Sequence, residues 1–344
     1  MLGTNVGVDL GTASILIYVE GKGIVLDEPS VVAFDTATQK LIAIGEKADS
    51  MIGRNPDSIT VVKPMKDGVI SDFIATKHIL EAMLYRVCKN MVFKPNIVVC
   101  MPSTVTNLEK RTILDLVTSA GAGKACLIEE PLAAAIGAGL DVTKPMGTLV
   151  VDIGGGTTDI AVVTMGSISV SKSVKIAGNK LDEDIIRYLR RERNIVIGEK
   201  TAEKIKREIG CANYKQNEKT MLIKGKHYIT GMPIATEINS TEIYLAMREH
   251  LENIVEGIRS VLEVTPPELA GDISQTGIIL TGGGAMLDGI DRLINKKTGI
   301  RVILPDNPLE CVALGTGYAL THLGILENNG GIFKTREEIT GFND

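Results

Sequence analysis

The sequence predicts an α/β protein of two similar halves, each a mixed sheet flanked by helices and carrying a small insertion, with a cleft between them. Three observations carry that expectation. Residues 150–163 read VVDIGGGTTDIAVV: β-branched residues run into Asp152, then come Gly154, Gly155 and Gly156, then Thr157, Thr158 and Asp159, then a second apolar run. That is the pattern of strand, tight turn, strand. Residues 6–19, VGVDLGTASILIYV, repeat the arrangement 143 positions earlier, with Asp9 matching Asp152 and Gly11 matching Gly154. Third, 344 residues are too many for one small core and enough for two domains.

Each copy carries chemistry in its turn. Glycine lacks a Cβ, so the backbone can bend sharply there and close its N–H groups on an oxyanion. Asp9 and Asp152, at the mouths of their strands, are placed to hold a cation or its water shell beside that anion. One such turn alone could equally be an ordinary glycine-rich hairpin. The repeat makes two of them a pair of grips on a phosphate chain. The glycines lead into a strand and not a helix, which excludes the dinucleotide fingerprint. Gly123-Lys124 is followed by alanine and lacks the first glycine of a Walker A loop.

Composition narrows the class further. With 44% hydrophobic and 23% charged residues the chain is that of a soluble globular protein. No apolar run approaches the roughly 18 residues that span a bilayer. The opening MLGTNVGVDL has no basic region and enters the first strand almost at once, so no signal peptide is expected. Five scattered cysteines without paired spacing point to reduced thiols in a cytoplasm, and four dispersed histidines argue against a zinc site. A net charge of −5 and 3% aromatics offer nucleic acid neither a basic surface nor a stacking platform.

In order, residues 5–35 hold two or three strands, the first pair being the earlier hairpin. Residues 35–62, with polar turns at Asp35-Thr36-Ala37-Thr38 and Arg54-Asn55-Pro56-Asp57, read as an insertion too short for a core of its own. Ile79, Leu80, Met83, Leu84 and Val87 recur at helical spacing and predict a helix over about 73–90 with one apolar face. Met91, Val92 and Phe93 follow, an apolar triplet between Lys89 and Lys94 just before a strand at 97–100. Such a triplet suits insertion at a membrane–water boundary with the lysines on anionic head groups, many copies being needed for useful attachment. Alternatively, Met91 and Phe93 cap the core. Residues 125–128 read as a strand, and Glu129-Glu130-Pro131 opens a helix over 132–140, proline and acids being favoured at a helix start.

Residues 142–147, containing Pro145 and Gly147, form the expected crossing between halves. A strand at 167–175 and helices over about 181–193 and 198–210 follow. Glu203, Lys206 and Arg207 share one helix face, either as the wall of a site or as a surface ion-pair cluster. Residues 220–239 read as a short β-meander (MLIKG, KHYIT) and 240–262 as a long amphipathic helix ended by TPPEL. A strand at 277–280 runs into Thr281-Gly282-Gly283-Gly284 and a helix from Met286, a junction that offers N–H groups to an anion or nucleoside. Residues 301–304 make the last strand of this half. Leu314-Gly315-Thr316-Gly317 begins a helix packing back on the first, and the tail from Glu327 is polar.

Together these motifs resemble the actin, Hsp70 and sugar-kinase superfamily, and within it the MreB and Mbl bacterial actins, over nearly the whole chain. GVDLGTAS resembles the first phosphate loop and DIGGGTTD the second. EEPLAAAIGAG (129–139) is similar to the connecting helix with the catalytic acid, TGGGAMLDG (281–289) to the adenosine motif, and TPPELAGDI (265–273) to a stretch of MreB relatives. The resemblance implies an actin-like (ribonuclease H-like) fold closing on ATP or ADP with Mg²⁺. It implies phosphate contacts from Gly11, Thr12, Ala13 and Ser14 and from Gly154, Gly155, Gly156, Thr157 and Thr158, with Asp9 and Asp152 on the metal. Adenosine contacts would come from Glu203, Lys206, Arg207, Gly282, Gly283, Gly284 and Met286. Glu130, next to Pro131, matches the carboxylate that orients the attacking water, with Thr157 on the same water. Ser14 departs from the asparagine that many relatives carry there.

The resemblance also implies a division into subdomain IA (1–34, 63–143 and 314–344), IB (35–62), IIA (144–180 and 240–313) and IIB (181–239). It implies slow ATP hydrolysis coupled to polymer dynamics, head-to-tail and paired protofilaments, and control of cell shape. Location would be cytoplasmic and peripheral, with Met91, Val92 and Phe93 on the anionic inner face of the cell membrane and membrane proteins of the cell-shape machinery as partners. A sugar or acid kinase, or an Hsp70-like ATPase, shares the hairpins and is the alternative. The kinase would need a base over an acceptor hydroxyl, whereas the Glu-Pro helix matches the water-activating members.

Overall fold

In a computed structural model, which describes residues 5–89, 93–214 and 216–321, the two repeats lie at the centres of two separate five-stranded sheets. The first half runs β1 (Asn5–Leu10), β2 (Ser14–Val19), β3 (Gly23–Pro29), β4 (Val32–Asp35), β5 (Leu41–Ile44), α1 (Glu46–Asp49), β6 (Ile59–Val62), β7 (Met65–Lys66), β8 (Val69–Ile70), α2 (Phe73–Cys88), β9 (Asn96–Met101), α3 (Asn107–Ser119), β10 (Lys124–Glu129) and α4 (Glu130–Gly137). Its sheet has the order β10-β9-β1-β2-β3, parallel from β10 to β1 and antiparallel from β1 to β3. Side chains alternate across a strand, and β9 uses both faces. Ile97 and Val99 join the core with Ile79, Leu80 and Leu116 of α2 and α3, while Val98 and Cys100 pack with Leu132 of α4.

The second half runs β11 (Thr148–Ile153), β12 (Thr158–Thr164), β13 (Ser167–Val174), α5 (Gly178–Arg193), β14 (Ile195–Val196), α6 (Glu199–Ile209), β15 (Thr220–His227), β16 (Pro233–Asn239), α7 (Ser240–Val264), α8 (Pro267–Thr276), β17 (Ile278–Thr281), α9 (Ile290–Thr298) and β18 (Val302–Ile303). Its sheet order, β13-β12-β11-β17-β18, repeats that of the first half strand for strand, again parallel on one side of the central strand and antiparallel on the other. α10 (Cys311–Ala319) returns to pack on α4 and β1. The fold is therefore the expected one of two similar α/β domains. None of the five cysteines is in a disulfide, and among the described residues no helix is long and apolar enough to cross a membrane.

Several local expectations change. β15 is one strand through His227 and pairs with Pro233–Asn239, so KHYIT is not a second strand but the strand end and turn. α4 stops at Gly137 and not at residue 140. After Thr281 the chain makes a single 3₁₀ turn over Gly283–Met286, and a helix begins only at Ile290, because Gly289 takes the left-handed conformation (φ 81°). A small cluster (Val31, Ala33, Ala48) forms where the first insertion meets the chain before it, since alternate residues of β4 face away from the main core that takes Val32 and Phe34. α3 and α8 have no counterpart among the expected elements. Thr106 and Glu109 nonetheless form a capping box at the start of α3, a signal that could have located it.

α4 and α10 are unusually close. A Cβ on Gly137 would stand 1.8 Å from the Cys311 carbonyl oxygen, and one on Gly315 the same distance from that of Ala133. Backbone meets backbone there, and neither can yield like a flexible side chain. Gly315→Ala is expected to lower stability by about 3 kcal/mol, the upper part of the overpacking range, read as a drop in denaturant midpoint. An unchanged midpoint would show that the helices can separate freely.

Candidate functional site

The two turns close in the same way. Gly11 N–H donates to Ser14 O (3.1 Å) and Gly154 N–H to Thr157 O (2.9 Å). They also face each other: a Cβ on Gly155 would lie 2.7 Å from that of Ala13, and one on Gly156 2.7 Å from Thr12 Oγ1. Only glycine permits that approach, so the two corners share one crevice. The β7–β8 hairpin wedges beside them, Gly68 N–H donating to Thr12 Oγ1 (3.1 Å). At the mouth, Lys63 bonds Glu199 (2.6 Å) and Lys200 bonds Asp49 (2.5 Å), linking elements of opposite halves. The first pair is solvent-exposed and the second half-buried, so the first at least is weak and sensitive to salt.

Four carboxyl groups meet at the floor. Asp152 is buried and accepts from Thr281 Oγ1 (2.7 Å). Asp9, partly open to the cleft, accepts from Cys100 Sγ (3.2 Å). Burial pushes Asp152 up to about 7, against the Thr281 bond and with repulsion from Asp9 and Asp159. It pushes Asp9 up to about 6, opposed by the Cys100 bond and helped by Asp27. Glu130, the first residue of α4, is held well above the ordinary carboxyl range by desolvation and then by Asp159, Asp9 and Asp152. Carboxyls forced this close with their charge penalised are a site for a cation. Among the described residues no three His, Cys, Asp or Glu side chains could hold a metal by themselves. One Asp from each half suits Mg²⁺, which keeps several waters and takes phosphate oxygens as further ligands. The residues present fit that ion.

Asp159 was not singled out by sequence reasoning. It is fully buried, and neither oxygen closes a hydrogen bond, although Thr157, Ser173 and the Ser103 N–H approach it and favour its charge. Desolvation outweighs them and raises its pKa. The signal was available in the hairpin: Asp159 pairs directly with Asp152 across the β11–β12 register, and such neighbours point to one face. Like charges placed opposite each other are unfavourable, so the pair has no structural rationale on its own. In the first repeat, Leu16 stands opposite Asp9. The second acid is the feature that makes the two otherwise equivalent corners different.

The remaining candidates divide. Thr157 is buried against Gly68, at the interface of the turns, while the Thr158 hydroxyl donates to Ile176 O (2.7 Å) and so turns away from the cleft. Lys206 Nζ donates to Gly178 O (2.9 Å) and Asp182 (2.8 Å), against the back of the second turn. Glu203 and Arg207 stay exposed and face each other at 4.0 Å. Gly282 and Gly284 lie against Asp152 and Ile153, and Ala212 N–H and Asn213 Nδ2 bond the Asp288 and Gly289 carbonyls, so the end of α6 and the glycine turn form one continuous wall. Met286 is on its rim, 64% exposed. Phe93 is exposed, and Met91 and Val92 lie outside the described residues.

The chain is similar to known proteins over nearly its whole length. Residues 3–328 match the family described as MreB/Mbl protein. The chain is 44% identical to the cell shape-determining protein Mbl of Bacillus subtilis over 324 residues, 94% of this chain and 97% of that one. It is 46% identical to the cell shape-determining protein MreB of Escherichia coli over 326 residues, 93% of this chain and 94% of that one. The crystal structure of MreB5 of Spiroplasma citri bound to ADP superposes with a TM-score of 0.90 at 38% identity, covering 96% of this chain and 99% of that one, and the same protein bound to AMPPNP does so equally. A duplicated carboxylate-and-glycine corner, an actin-like fold and matches of this length have one reading: the chain belongs to the MreB/Mbl family of bacterial actins.

Proposed function

We propose that this chain is an ATP-dependent, filament-forming bacterial actin that lies on the inner face of the cell membrane and controls cell shape, hydrolysing ATP slowly as its polymer turns over. The observation that carries the reading is the contact between the two turns, with Asp9, Asp152 and Glu130 gathered at their base. The cell-shape names of the Bacillus and Escherichia relatives and the nucleotides bound by the Spiroplasma protein support it.

The two turns would grip the β- and γ-phosphates with backbone N–H groups, and Gly282–Gly284 with Lys206 and its helix would flank the adenosine. Mg²⁺, when bound, neutralises phosphate charge, and Asp9 and Asp152 hold its water shell. Glu130 orients the attacking water and accepts its proton, with Thr157 hydrogen-bonding the same water. A carboxylate with a raised pKa is the stronger base once ionised, which suits Glu130 to that task. Contacts with the γ-phosphate from both halves give the nucleotide a differential hold on the open and closed forms. In this reading the four subdomains are the two sheets and their two insertions.

Negative-stain images with ATP, with and without anionic vesicles, test the reading. Filaments are expected in solution and coating the vesicles. With Met91, Val92 and Phe93 changed together to serine, filaments should persist and vesicle pelleting should vanish. Pelleting at the parent level would remove the membrane role from this loop.

A further inference from the structure

The second glycine turn is held from behind. Gly178 N–H donates to Gly154 O (3.1 Å) and Asn179 N–H to Gly155 O (2.8 Å). These are the first N–H groups of α5, which have no partner inside their own helix. Across a trans peptide the carbonyl and the N–H that follows it point opposite ways, and among the described residues no peptide is cis. Holding the Gly154 and Gly155 carbonyls at the back therefore aims the Gly155 and Gly156 N–H groups forward, on the side where Ala13 and Thr12 of the other turn approach. Among the described residues the first turn has one such tie, from Ser30 N–H to Ala13 O (3.0 Å).

An ion pair keeps α5 in place. Lys206 Nζ reaches from α6 to Gly178 O (2.9 Å) and to Asp182 (2.8 Å), one turn further along α5. Asp182 is only 8% exposed, and its other carboxyl oxygen is buried with no hydrogen-bond partner. Burial pushes this carboxyl up to about 6, although Lys206 opposes the shift. Stability does not account for such a pair, because well-packed apolar residues in place of a buried ion pair are often as stable or more so. Its position does. α6 runs on past Lys206 to Asn213, which bonds Gly289 O, so the pair joins the nucleoside wall to the back of the turn.

We propose that Asp182 is a positioning residue for the phosphate grip: it locks Lys206 onto the Gly178 carbonyl and so sets the Gly155 and Gly156 N–H groups for the β- and γ-phosphates. The inference rests on the nucleotide reading above. Calorimetric titration with AMPPNP and with adenosine, both with Mg²⁺, tests it, each variant being read as the ratio of the two affinities. In that ratio any direct contact of Lys206 with the nucleoside cancels. Asp182→Ala should lower the ratio about ten- to a hundredfold, the usual effect of removing a group that orients a binding group, with adenosine affinity at the parent level. Thr157 belongs to the same turn, so kcat should fall as well and not KM alone rise. Asp182→Leu with Lys206→Met replaces the pair by apolar side chains. This double variant should melt at or above the parent temperature and still show the lowered ratio.

A parent that binds AMPPNP no better than adenosine overturns the phosphate-grip reading and this inference with it. A parent that prefers AMPPNP, beside an Asp182→Ala variant with the same preference, overturns the inference alone. So does an equal loss of both ligands, which would place the effect on the nucleoside, and so does a double variant that regains the parent ratio, which would make the pair a matter of stability. Where Asp182→Ala does not fold, the double variant decides.

Discussion

Glu130→Ala is expected to bind ATP as the parent does and to release phosphate about 10²–10⁴ times more slowly, the usual worth of a positioned base. The reason lies in its surroundings. Glu130 begins α4 directly after β10, so its carboxyl is delivered to the cleft floor by a rigid junction and not by a loop. Desolvation there, and then the three other acids on that floor, raise its proton affinity, while the phosphate grips are backbone N–H groups of the two turns. Removing it should therefore spare affinity and cost rate. It should also relieve repulsion, so the nucleotide-free variant should melt no lower than the parent. A single-turnover assay with labelled ATP reads both steps, and hydrolysis at the parent rate would remove Glu130 from the chemistry.

Asp152→Asn should separate stability from function. An unfolded Asp titrates near 3.8, and Asp152 in the fold near 7 because burial opposes its charge. Between those values the folded chain retains a proton that the unfolded chain has released. Stability of the nucleotide-free protein should accordingly fall as pH rises through that window, by up to about 4 kcal/mol from this group, and stay low above it. Asparagine cannot ionise but still accepts from Thr281. At pH 8 the nucleotide-free variant should melt above the parent, and the rise in melting temperature that Mg-ATP gives the parent should be lost. A parent melting temperature flat between pH 5 and 8, or a variant still stabilised by Mg-ATP, would contradict this account. The same logic describes many sites: residues selected to meet a ligand are locally unfavourable without it.

Much of this was legible in the chain. An apolar run on each side of a glycine turn states its structure almost directly, and the repeat announces a second sheet of the same kind. The strand orders of the two sheets confirm that inference down to the parallel and antiparallel sides. What escaped depended on pairing and packing that the turn motif alone does not specify. Asp159 reads as a turn-flanking polar residue until the register puts it opposite Asp152. The Thr158 hydroxyl looks available until Ile176 claims it. Lys206 joins Gly178 and Asp182 from another helix, whereas its neighbours Glu203 and Arg207, on the same face by spacing, remain in solvent. Helix spacing fixes which side chains are adjacent, not which of them reach a cleft.

The crossing of α4 and α10 has a mechanical consequence. The chain leaves the first half just beyond Gly137 and re-enters it at Cys311, and these two points touch. Both connections thus run through one spot, which acts as a fulcrum. A contact shared by both connections favours a swing of one half about the other over a slide, so the tips of the two insertions, farthest from it, are expected to travel most.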